Sequence, residues 1–277
     1  MKLPLMSTSP VVRSFAAVAF VAFVAAQAHA GLEYTAGHAD IGIGFEDDEL
    51  FLHYHIEGGI VGGVAQPDEE FEPADLVTRV ADSLNFTSLN PAIATFTGAD
   101  QPGGNGDLWI LPQGEVSGVP FLGIAAEELD AIDGWQSASL TLESMTFTPF
   151  GTGDAAVAEF SLYQINGGGG LDGAMSTFDA GPDTLPLSIG AHDHYNWGFT
   201  EQGIYELSFL ASAENDGSGS LASGIYTDTE SFVFLVGSAT PAAIPEPGTM
   251  SLAGLAACGL LGGGAAKRRR NRKAAES

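Results

Sequence analysis

The chain predicts an all-β fold: an immunoglobulin-like or jelly-roll-type antiparallel β-sandwich with one or two short helices. Three observations carry this expectation. Apolar and polar residues alternate in short runs, turn residues punctuate those runs, and helical periodicity is scarce. The 37 glycines in 277 residues supply much of the punctuation.

The first two predicted strands are Asp40–Phe45 and Leu50–Ile56, flanking the hairpin turn signal Glu46-Asp47-Asp48-Glu49. Ser137–Phe147 and Ala156–Gln164 follow as further alternating runs, then Gly203–Ala211 and Glu230–Val236. In Gly203–Ala211 the alternation puts Tyr205, Leu207 and Phe209 on one face. Tyr205, just after a turn glycine, resembles the tyrosine corner of immunoglobulin-like sandwiches. Pro73–Ser83 and the shorter Ala125–Asp130 are predicted to be helical. Residues 166–173 and 214–220 are loops, and no fixed-period repeat stands out.

The ends of the chain are targeting signals and are set apart from the fold. Lys2 and Arg13 precede an apolar run and then Ala28-His29-Ala30-Gly31, which fits a signal peptide at 1–30 cleaved after Ala30. At the other end, Pro245-Glu246-Pro247 is followed by an uncharged stretch from Gly248 to Ala266 and a basic block from Lys267 to Lys273. The uncharged stretch has about the ~20-residue length that a bilayer requires, and the basic block favours a cytoplasmic end. This order of parts in 244–277 resembles the PEP-CTERM sorting signal. The resemblance implies a Gram-negative bacterium, an exosortase-type sorting enzyme as partner, and an envelope, cell-surface or extracellular-matrix destination. Before processing, the C-terminal helix would hold the protein in the inner membrane.

Between these signals, residues 31–243 form the expected β-sandwich domain. Its single basic residue among Lys and Arg is Arg79, against 33 acidic residues, giving a net charge of about −32 with histidines neutral. Such a surface repels nucleic acid, whose binding requires Lys and Arg to displace counterions. It attracts cations and favours solubility. Cys258, the sole cysteine, lies in the tail, so thiolate metal sites and cysteine nucleophiles are excluded from this domain. A transition metal here would need His and carboxylate donors.

Five histidines remain outside the leader: His38, His53, His55, His192 and His194. With Asp47 and Asp48 at the hairpin tip, Ile41, Ile43 and Phe45 share the core face with Leu50, Leu52, Tyr54 and Ile56. His38, Asp40, His53, His55 and Glu57 then share the other face, where Gly42 and Gly44 leave space beside His53. A one-residue slip would turn the apolar set outward, so the core pattern supports this register. The second His-x-His pair, His192-Asp193-His194, is expected in an extended loop, with both rings pointing one way. These five histidines are the candidate ligands of a Zn2+ centre, with Asp40, Glu57 and Asp193 orienting the imidazoles.

Gly-His-x-Asp at 37–40, His53-x-His55, Trp109-x-Leu-Pro-Gln113 and His192-x-His-x-Asn-Trp197 stand in this order along the chain. The pattern resembles a PEP-CTERM family repressed by the zinc uptake regulator. It is also similar to an actinobacterial surface-anchored domain associated with metal ABC transporters. The resemblance implies zinc capture at the surface under zinc limitation, with a metal uptake system as partner. Trp109 and Trp197 are expected to fill the core.

Three function classes follow. The favoured one is a non-enzymatic, anchored metal-binding module. An acidic structural or matrix protein holding Ca2+ in loops such as 47–49 and 216–220 is the alternative, although neither loop has EF-hand spacing. A zinc-dependent hydrolase using Asp40 or Glu57 as base is the third. It lacks a His-Glu-x-x-His motif, and the chain has no Gly-x-Ser-x-Gly elbow.

Overall fold

Asp47 and Asp48 both adopt left-handed backbone, with φ of 55° and 68°. Two such residues make the type I′ connection that matches strand twist, and aspartate tolerates that conformation better than most side chains. The turn joins β1 (Leu32–Glu46) to β2 (Glu49–Val61). It sets the expected register: Glu46 faces Glu49, Gly42 faces His53, Asp40 faces His55 and His38 faces Glu57. Ile41, Ile43, Leu50, Leu52, Tyr54 and Ile56 are all buried as predicted.

The computed structural model describes residues 31–150, 154–178 and 183–238. The remaining strands are β3 (Val64–Ala65), β4 (Glu69–Phe71), β5 (Leu76–Val80), β6 (Asn85–Phe86), β7 (Leu108–Leu111) and β8 (Pro120–Ala125). They continue as β9 (Trp135–Pro149), β10 (Phe160–Ile165), β11 (Leu171–Ser176), β12 (Thr184–Leu187), β13 (His192–His194) and β14 (Asn196–Phe199). The long hairpin of β15 (Gly203–Asn215) and β16 (Gly224–Val236) completes the set.

Two sheets form the expected all-β sandwich. The larger runs β12-β9-β15-β16-β5-β1-β2-β3, with β4 also on β2 and β8 carrying β13 off β1. The smaller runs β11-β10-β14-β7-β6. Antiparallel pairs dominate, but β5 pairs in parallel with both β1 and β16, and β8 in parallel with β1. Between the sheets, Phe160, Trp197 and Phe199 of the smaller one meet Phe209 and Phe234 of the larger. All five are fully buried.

A β-bulge in β1 prepares the site. Gly37 has φ +81°, and a β-carbon there would stand 2.5 Å from the Gly58 carbonyl oxygen, so the position requires glycine. The pairing register with β2 shifts between Ala36 and His38. N-terminal to this bulge β1 pairs with β5, and from Gly37 onward it pairs with β8. The irregularity thereby brings β8, and β13 beyond it, alongside His38 and Asp40.

Both helix expectations are corrected. Within Pro73–Ser83, β5 forms between two 3-10 turns at Pro73–Asp75 and Asp82–Leu84. Leu76, Val77, Thr78 and Val80 are all buried, and a strand covered on both faces loses the alternation that identifies strands. Residues 125–130 finish β8 and turn into a 3-10 turn at Ala131–Asp133, where the Asp130 side chain accepts from Ile132 N. Among the described residues the α-helix is α1, Pro91–Thr97. Asn90 caps it by accepting from Ala92 N, Pro91 starts it, and Gly98 ends it in left-handed backbone.

Within residues 190–199, expected as an extended loop, β13 and β14 form instead. The signal peptide, the cleavage position Ala30, Pro245-Glu246-Pro247 and the apolar tail all lie outside the described residues. Among the described residues no helix is long and apolar enough to cross a membrane.

Candidate metal centre

Three adjacent strands, β1, β8 and β13, carry the centre. Asp40 lies beside Gly123, and Gly123 beside His194; Ala125 lies beside His192, and Phe121 beside His38. Strands two apart are about 9.6 Å from one another, twice the ~4.8 Å spacing of neighbours. Side chains from β1 and β13 can therefore reach toward each other only if the strand between presents little bulk. Gly123 meets that need, since a β-carbon there would overlap the Asp40 carboxylate and stand 3.0 Å from His194 Cε1.

Over this glycine the imidazoles converge. His38 Nε2 is 3.3 Å from His192 Nε2 and 3.2 Å from His194 Nε2, and the latter two are 3.0 Å apart. Asp40 joins them, with Oδ1 3.1 Å from His192 Nε2 and Oδ2 3.5 Å from His38 Nε2. A tetrahedral zinc with bonds of about 2.0–2.1 Å holds its donors about 3.3 Å apart. The three nitrogens fit that spacing, and the Asp40 carboxylate stands beside two of them, close enough to complete the set.

Polar saturation points the same way. Asp40 is 2 % exposed, and its Oδ1 has no hydrogen-bond donor besides the facing imidazole edge. A buried carboxylate without a partner is unfavourable by several kcal/mol in order of magnitude, and a cation removes that penalty. Burial pushes the Asp40 carboxyl up from its ordinary range, against the pull of His38 and His192. Burial, helped by His192 and His38, brings His194 down to about 4, so its ring is neutral at neutral pH and offers a lone pair.

Carboxylates orient two of the rings from behind. Glu57 Oε2 stands 3.5 Å from His38 Nδ1, and Glu127 Oε1 stands 3.4 Å from His192 Nδ1. At this ion-pair range they favour a proton on Nδ1, which leaves Nε2 free for the centre. Phe121 supports the third ring by stacking against it.

The five candidate histidines therefore divide. His38, His192 and His194 come together. His53 and His55 share the hairpin face but pair elsewhere, His53 Nε2 with Glu128 Oε1 at 2.9 Å and His55 Nε2 with Asp68 Oδ1 at 3.1 Å. Asp40, expected to orient imidazoles, occupies a donor position itself. Glu57 stands behind His38 as expected. Asp193 points away from the rings, exposed between two partly buried histidines on β13.

Sequence reasoning missed Glu127, Phe121 and Gly123. Glu127 was hidden inside the false helix. Gly123 and Phe121 acquire meaning only once β8 is known to lie between β1 and β13.

The rest of the motif pattern is scaffold. Gln113 N donates to Asn196 Oδ1 at 3.0 Å, and Asn196 Nδ2 donates to Gln113 Oε1 at 2.7 Å. Trp197 is buried and donates from Nε1 to the Leu122 carbonyl at 3.0 Å, tying the smaller sheet to β8. Gln164 Nε2 donates to the His194 carbonyl at 2.9 Å. These bonds fix the backbone at the C-terminal end of the His-x-His pair.

Residues 243–270 match the PEP-CTERM protein-sorting motif. No curated protein and no solved structure matches the chain. The sorting tail supports export, recognition by an exosortase and delivery to the envelope of a Gram-negative bacterium.

Proposed function

We propose that this is a non-catalytic, surface-displayed protein that captures Zn2+ outside the inner membrane. The observation that carries the reading is the convergence of three imidazole Nε2 atoms within 3.0–3.3 Å of one another, with a buried carboxylate oxygen 3.1 Å from one of them. A catalytic zinc keeps one position open for water. Here His38, His192, His194 and Asp40 supply four donors, which favours holding the ion over hydrolysis. The acidic surface raises the local concentration of cations around the centre.

The ordered motifs that resemble the zinc-uptake-regulator-repressed family support deployment under zinc limitation, with delivery to a metal uptake system. The tail holds the protein at the inner membrane until sorting. Calorimetry and elemental analysis of the purified protein test the reading. One tightly bound Zn2+ is expected in the wild type, and a His38→Ala/His192→Ala variant should lose it. Undiminished tight binding in that variant would overturn the assignment.

A further inference from the structure

We propose a second divalent-metal site on the same hairpin face, formed by His53, Glu70 and Glu128 and separate from the three-histidine centre. One donor atom from each of these residues lies within 4.8 Å of the others. His53 is only 3 % exposed, and its Nδ1 has no hydrogen-bond partner among the described residues. Its Nε2 faces Glu128 Oε1 at 2.9 Å.

The local backbone is cut away to hold this group. Gly42 lies directly across from His53, and a β-carbon there would stand 2.6 Å from His53 Cε1 and 2.7 Å from Nε2. Gly44 does the same for the acid, since a β-carbon there would stand 2.5 Å from Glu128 Oε2. Neither glycine needs a left-handed backbone, so the absence of a side chain is what these positions provide. Glu70 arrives from β4, opposite His55 in register.

A simple His53–Glu128 ion pair would account for two of the three groups. It would leave Glu70 unused, although its carboxylate lies within 4.8 Å of the same two groups. A divalent cation accounts for all three, and one nitrogen with two carboxylates suits a borderline first-row metal. With both acids exposed and only three donors, this site is the weaker and faster-exchanging of the two.

Zn2+ titration of the metal-stripped protein at physiological salt, with a competing chelator, tests the proposal. The wild type should take up two equivalents of distinct affinity. Glu70→Gln/Glu128→Gln should weaken the looser one at least tenfold and leave the tight one intact. His53→Gln, checked for native circular dichroism, should do the same, while His38→Ala/His192→Ala should remove only the tight one. A wild-type stoichiometry of one that survives Glu70→Gln/Glu128→Gln would overturn the second site. So would a second equivalent that survives either His53→Gln or the carboxylate exchange, since it would then be general binding to an acidic surface. Absence of the tight equivalent from the wild type, with the looser one present and lost on Glu70→Gln/Glu128→Gln, would refute the proposed function and leave the second site standing.

Discussion

The Phe121 ring lies flat on the His194 imidazole, with centroids 3.6 Å apart and planes 3° from parallel. Phe121 also approaches His38, at 5.6 Å between centroids, so one apolar side chain bears on two of the three converging rings. Groups that orient metal ligands typically contribute 10–100-fold to affinity. Phe121→Ala should therefore weaken Zn2+ binding about tenfold or more while leaving every donor in place. Competition calorimetry measures it, and Phe121→Leu should recover part of the loss by restoring bulk without the flat contact.

Gly123→Ala tests whether the floor of the centre must be bare. The Gly123 φ lies outside the left-handed region, so alanine adds no backbone strain there. Its β-carbon would nevertheless overlap the Asp40 carboxylate and crowd His194. The expected result is a folded protein whose tight Zn2+ affinity falls at least about 100-fold, the upper end of what support residues contribute. Circular dichroism and chelator competition separate the two effects.

Much of this was legible from residue order, and the illegible part has a physical pattern. The hairpin register could be read because one face is apolar, and a slip would expose all of it. The Tyr205 face could be read for the same reason. The strand at 76–80 could not, because β5 is covered on both faces, and its apolar residues Leu76, Val77 and Val80 therefore fall on both rather than alternating with polar ones. The division of the histidines could not be read either. It depends on the bulge at Gly37 and on β8 inserting between β1 and β13, a parallel pairing between segments some eighty residues apart in sequence. Local alternation shows which residues share a face. It does not show which distant strand lies beside them.

Tyr205 gives a prediction about stability alone. Its hydroxyl accepts from Glu201 N at 2.9 Å and donates to the Glu201 carbonyl at 3.0 Å, pinning the turn that enters β15 as a tyrosine corner would. Both partners are buried. Tyr205→Phe leaves two backbone groups without a partner, and stranding a buried polar group costs about 1–3 kcal/mol. Urea denaturation should show a loss in that range with an unchanged m-value, and Zn2+ affinity should not move.

Glu201 itself should give the protein a pH-dependent stability of predictable sign. It is 5 % exposed, and Oε2 accepts a long 3.3 Å bond from Asp154 N. Burial raises its pKa, and the charges of Asp154 and Asp107 push the same way, against the bond from the Asp154 backbone. The folded state therefore holds this proton more tightly than the unfolded chain, whose Glu titrates near ~4.3. Its favourable contribution is complete below that value and is lost as pH rises through the folded pKa. Glu201→Gln keeps the shape and removes the charge, so it should melt higher than the wild type at pH 7. The two should converge as pH falls below about 4, where the wild-type carboxyl is protonated in both states. Melting curves of the metal-free proteins across that range decide it, and equal melting temperatures at pH 7 would mean the carboxylate is solvated well enough to ionise freely.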